Sequence, residues 1–143
     1  MAEQLDINQL NSGFKNIIIG RLSKDIISLL NLNREECDII LWEDRFKYVE
    51  KHIQHFKSKE DYEKHIASIP DIIENPDYVG KHPKNNSIQY IKRIGELMIV
   101  AIRIKKKGNM AFRSAYPLSE EQLKDYIKSG TVFELKNDVD NQE

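Results

Sequence analysis

Apolar positions along the 143-residue chain change their spacing near residue 87, and that change sets the expected fold class. Ahead of it the steps are mostly helical. Glu43–Phe56 carries Phe46, Val49, Ile53 and Phe56 on one stripe, the three- and four-residue steps of an amphipathic helix. Ser58 predicts the cap of a second helix running to Ile69, with Tyr62, Ile66 and Ile69 facing inward. Pro70 then either kinks that helix or opens a new turn over DIIEN. Further upstream, Lys15–Gly20 (KNIIIG) suits a short strand and Ser23 caps a helix running to about Leu32. Cys37–Trp42 (CDIILW) fits either a strand or a lead-in to the following helix. Asn75–Ser87 holds two Pro, one Gly and three Asn, and reads as a loop.

Past the loop the spacing is that of strands. Ile88–Ile94 alternates, Gly95-Glu96 makes a tight link, and Leu97–Ile104 is apolar on both faces, as in a central strand. Lys105–Asn109 (KKKGN) predicts a hairpin turn into Met110–Tyr116, which Pro117 ends. Ser119-Glu120-Glu121-Gln122 opens a helix with a capping-box pattern, and Gly130 closes it. Thr131–Leu135 would add an edge strand. The expectation is an α+β domain over residues 15–135, with N-terminal helices packed on a four-stranded antiparallel sheet and a C-terminal helix. Residues 1–14 are expected to form a flexible arm and residues 136–143 a flexible acidic tail.

Composition narrows the class. Hydrophobic residues make up 40% and charged residues 31%, enough apolar material for a core and against a fibrous or disordered chain. The longest apolar runs, Ile17–Ile19 and Leu97–Ile102, are far shorter than the roughly 20 residues of a membrane span. No secretory leader is legible and Cys37 stands alone, so the expectation is a cytoplasmic protein with neither a disulfide framework nor a zinc site. The net charge of −1 conceals an asymmetry, because Lys81–Arg113 holds nine basic residues against Glu96. That segment is +8 and the remainder −9. It would attract phosphates or, less specifically, form a solvated Lys-rich turn that blocks edge pairing.

No Gly-rich phosphate loop, HExxH or GxSxG motif is present, which removes support from the common motif-bearing enzymes. The remaining chemistry is scattered His, Arg, Lys, Ser and Tyr. Helical steps place His52 about 80° from the centre of the apolar stripe, at the margin of the buried face, with His55 further round. An imidazole there is either an ordinary boundary residue or a proton acceptor beside a cleft. His65 and His82 read as surface residues. In Arg113-Ser114-Ala115-Tyr116-Pro117, period-two alternation puts Phe112, Ser114 and Tyr116 on one face and Arg113 on the other. Ser114 and Tyr116 would donate to a phosphate oxygen, whereas Arg113 would join them only through a bulge, twist or strand end.

Together, the runs Tyr48–His52 (YVEKH), IPDIIENPDYVG at Ile69–Gly80, Tyr90-Ile91-Lys92, Val100–Arg103 and Arg113–Pro117 (RSAYP) resemble a phage-associated branch of the barnase–EndoU–colicin–RelE-like nucleases. The resemblance covers roughly residues 15–135. It implies a toxin-like or mobile-element-associated endoribonuclease that works without a metal or other cofactor, by transesterification through the 2′-hydroxyl of RNA. Carried onto this sequence, it implies a catalytic set of His52, Lys92, Arg113, Ser114 and Tyr116. One departure is Tyr48, where related sequences often carry a further His, so a two-histidine mechanism would need His55. Tyr90 or Tyr78 would stack on a base, and Arg103, Lys105, Lys106 and Lys107 would take phosphates. Expected partners are RNA and a cognate inhibitor protein, with no membrane. Two other readings stay open: a non-catalytic RNA- or protein-binding module on the same scaffold, and an inhibitory partner whose acidic segments cover a basic toxin.

Overall fold

The computed structural model describes residues 4–135. Its class is α+β, but the sheet has seven strands rather than four, in the order β1-β2-β6-β5-β4-β3-β7. The strands are β1 (Asn16–Leu22), β2 (Cys37–Trp42), β3 (Tyr78–Lys81), β4 (Ser87–Ile94), β5 (Glu96–Arg103), β6 (Met110–Pro117) and β7 (Val132–Glu134). The helices are α1 (Ile7–Asn11), α2 (Lys24–Leu29), α3 (Glu43–Glu50), α4 (Lys59–Ala67), α5 (Ile69–Glu74) and α6 (Glu120–Lys128). Among the described residues no helix is long and apolar enough to cross a membrane.

Long-range pairing accounts for the additional strands. β3 lies inside the Pro- and Asn-rich stretch expected to be a loop, and it forms because β4 and β7 flank it on either side. Gly80 makes that approach possible: a Cβ there would stand 2.7 Å from Val132 Cα and collide with Thr131 O. The antiparallel β1–β2 pair, connected through α2, joins the sheet by a short parallel ladder, Ile39 with Met110 and Ile40 with Ala111. Neither contact leaves a local pattern.

Local signals did set most elements. Ser23, Ser58 and Ser119 each cap a helix through the side-chain oxygen, and Gln122 completes the capping box of α6. Pro70 opens α5 as a new helix at the position where its missing N–H costs nothing. Within the stretch expected to be an arm, Asp6 caps α1 and Leu10 is buried, while Leu5 N–H donates to Ala67 O at 3.0 Å. The expected tail at 136–143 lies outside the described residues.

The helices cover one face of the sheet around a core that includes Phe46, Val49, Ile66, Ile72, Tyr90 and Phe112. α6 covers part of the other face, where Leu123 meets Ile91, Leu97 and Ile99. Each fully buried side chain of this kind contributes about 1.5–3 kcal/mol. His65, expected at the surface, is fully buried instead, with Nε2 3.3 Å from Ile99 O and the rings of Phe56 and His65 edge to face.

Candidate active site

Two irregularities build the site. The first is the end of α3. The expected helix through Phe56 stops at Glu50, and Ile53–His55 forms a 3-10 turn. In a continuing helix the N–H of His52 would bond Tyr48 O; here it bonds Val49 O at 2.9 Å. The imidazole takes the vacated partner, His52 Nδ1 lying 2.8 Å from Tyr48 O. A carbonyl only accepts, so neutral His52 carries its proton on Nδ1 and presents Nε2 as an acceptor. The tight turn also overturns the expected separation of the histidines. His55 does not sit far round a helix but lies beside His52, ring centroids 5.2 Å apart, with the Tyr48 ring 4.6 Å away on the other flank.

The second irregularity is a bulge in β6. Ser114 pairs with Ala101 and Phe112 with Ile102, so Arg113 is an extra residue without a partner on β5. Phe112 and Ala115 both enter the main core, so Arg113 and Ser114 both turn away from it. Tyr116 packs against the α6 side, and the alternation read from the sequence is thereby reversed. Arg113 joins Ser114 and Tyr116, while Phe112 leaves them. Burial, reinforced by the neighbouring Tyr126, pushes the Tyr116 phenol pKa up against the opposing pull of Gln89 and Arg113, so the group stays a protonated donor.

The two irregularities meet because β6 is paired with β2 only at its start, leaving its later edge open toward α3. A cleft of about 350 Å³ lies there, lined by Tyr48, His52, His55, Phe56, Ser114 and Tyr116. Arg45, which sequence reasoning passed over, clamps the junction. Its Nε and Nη2 donate to Arg113 O at 3.0 and 2.6 Å, and its guanidinium lies 4.2 Å from the centre of the Tyr48 ring. The signal was present: Arg45, Tyr48 and His52 are spaced i, i+3, i+7. A second cleft, of about 660 Å³, adjoins on the far side of Arg45 and Arg113, with Trp42, Arg103 and Lys105 in its lining.

Other expected site residues are not gathered here. Lys92 is half-buried on β4, its ammonium donating to Asn75 O at 2.7 Å. Tyr90 is fully buried with burial raising its pKa strongly, so its ring is closed to any base. Tyr78 packs partly buried beside the α6 core. Lys105, Lys106 and Lys107 are exposed in the β5–β6 turn. Among the described residues no three His, Cys, Asp or Glu side chains converge as a bound metal would require.

A family model described as phage-Barnase-EndoU-ColicinE5/D-RelE like nuclease3 matches residues 16–125, from the start of β1 into α6, and spans both irregularities. Comparison with curated proteins and with solved structures returns no match.

Proposed function

Since the chain belongs to the phage-associated barnase–EndoU–colicin–RelE-like nucleases, we propose that it is an endoribonuclease cutting RNA without a metal, through attack by the substrate's own 2′-hydroxyl. The observation that carries this reading is the meeting of the paired His52 and His55 imidazoles with Ser114 and Tyr116 in one cleft, with Arg113 of the same bulge lining the cleft that adjoins it. His52 Nε2 takes the 2′-OH proton as O2′ attacks phosphorus. The P–O5′ bond breaks, and the leaving O5′ takes a proton from His55. The products are a 2′,3′-cyclic phosphate and a 5′-hydroxyl.

Charge on the phosphorane-like transition state falls to Arg113, with Ser114 and Tyr116 donating hydrogen bonds to its oxygens. Such preorganised donors are commonly the largest single contribution to catalysis. Arg45 holds the Arg113 backbone in place. Lys92 is left out of the scheme because its ammonium is engaged with Asn75 O. A toxin-like role would show as growth arrest on induction, relieved by His52→Ala. An acidic inhibitor protein would find its complement in the basic Lys81–Arg113 segment.

The test is incubation of purified protein with total RNA in EDTA, followed by mapping of the fragment ends. Cyclic-phosphate and 5′-hydroxyl ends are expected. Activity restored only by magnesium defeats the mechanism. Complete inertness together with retained RNA binding favours the binding-module reading, which the near-neutral total charge supports.

A further inference from the structure

Resting on the ribonuclease reading, we propose that the second cleft is a subsite for single-stranded RNA in which Trp42 stacks on a base flanking the scissile phosphate. The cleft carries four cations, Arg45, Arg103, Lys105 and Arg113, against one acid, Asp44. Trp42 ends β2 and remains 40% exposed, a large apolar ring left at the surface among those cations. Along β2 it is Cys37, Ile39 and Leu41 that enter the main core while the buried Ile40 does not, and this alternation places Trp42 on the opposite face of the sheet. That face carries Arg113, Ala111 and Arg103 nearby, and the α6 core does not include them.

The two clefts share one wall. Arg113 lines the second and the adjacent Ser114 lines the first; Arg45 lines the second while lying on Tyr48 of the first. A strand held at the bulge by its scissile phosphate therefore continues over Arg113 toward Trp42. Flanking phosphates meet Arg103 and Lys105 along that path. Stacking on an indole accepts any base, so the subsite supplies affinity and strand selection rather than base identity. A duplex keeps its bases paired and stacked inward, out of reach of the ring.

Trp42 is the chain's single tryptophan, so fluorescence excited at wavelengths that the tyrosines do not absorb reports on this ring alone. The experiment titrates the full-length protein with a single-stranded oligoribonucleotide 2′-O-methylated at every position, which cannot be cut, and with the same sequence as a duplex. Saturable quenching is expected with the single strand, at concentrations at least tenfold lower than with the duplex. Trp42→Ala should weaken binding of a dye-labelled single strand about 5- to 100-fold by anisotropy, and Trp42→Phe should recover most of the loss. Binding without quenching, equal quenching by the duplex, or no binding of either RNA overturns the proposal. Should Trp42→Ala not fold, quenching of the wild-type protein decides alone. Quenching by the uncut strand without cleavage of unmodified RNA keeps the subsite and rejects the ribonuclease reading, whereas cleavage without quenching does the reverse.

Discussion

The imidazole of His52 bonds the carbonyl that its own N–H would take in a continuing helix, and the same contact sets which ring nitrogen is free. An expected consequence is that His52→Ala lowers the cleavage rate by about two to four powers of ten, the usual contribution of a positioned base. His55→Ala should lose a comparable amount, because both rings line one cleft. Neither change removes a core side chain, so thermal melts should stay close to wild type while single-turnover rates fall. A His55→Ala protein of full activity would move acid catalysis from His55 to another donor in the cleft, the Tyr116 phenol. Only part of this was legible beforehand. His52 was visible at the edge of an apolar stripe; the turn that brings His55 to it depends on Phe56, whose ring is buried against Tyr62 and His65.

Among the elements, the β5–β6 hairpin and the β3–β7 edge make separate demands. The Lys105–Lys107 turn is tied down through its backbone, Arg34 donating to Lys105 O and Gly108 O at 2.6 Å each. Its lysine side chains therefore carry charge without holding the turn. Replacing all three with Glu should leave the urea midpoint nearly unchanged while weakening RNA affinity and flattening its dependence on salt, measured by anisotropy over a salt series. At Gly80 the balance is the opposite. Gly80→Ala drives a methyl group into the Thr131–Val132 backbone, so β7 must move away or β3 must shift. A loss of about 2 kcal/mol or more is expected, read as a lower denaturant midpoint at unchanged slope. β3 is not legible in the sequence because a four-residue strand between prolines has no periodicity of its own. The bulge in β6 was likewise invisible: RSAYP states a need for one, and only the register against β5 supplies it.

Across the whole molecule, His65 links the helical layer to the central strand β5. Burial lowers its pKa to about 4, against a weaker upward pull from the bond to Ile99 O. In the unfolded chain it titrates near 6.5. Above pH 6.5 both states hold it neutral and it exerts no pH-dependent effect; between about 6.5 and 4 only the unfolded chain takes the proton, so stability falls as pH falls. The loss should approach about 3 kcal/mol near pH 4, and His65→Phe should remove most of that slope in urea titrations across the range. The sequence by itself determined the α+β class, the helix caps, the central antiparallel strands and the residue types available for phosphate chemistry. All of these arise from spacings and local hydrogen bonds within a few residues. Tertiary structure alone decided that the sheet has seven strands, that Arg113 and Ser114 both face away from the main core, that Lys92 and Tyr90 stand apart, and that Arg45 and Trp42 lie beside the cleft. The reason is physical: those outcomes depend on strand pairing and burial between segments far apart in the chain, whose free energy exists only once the ends of each loop have met.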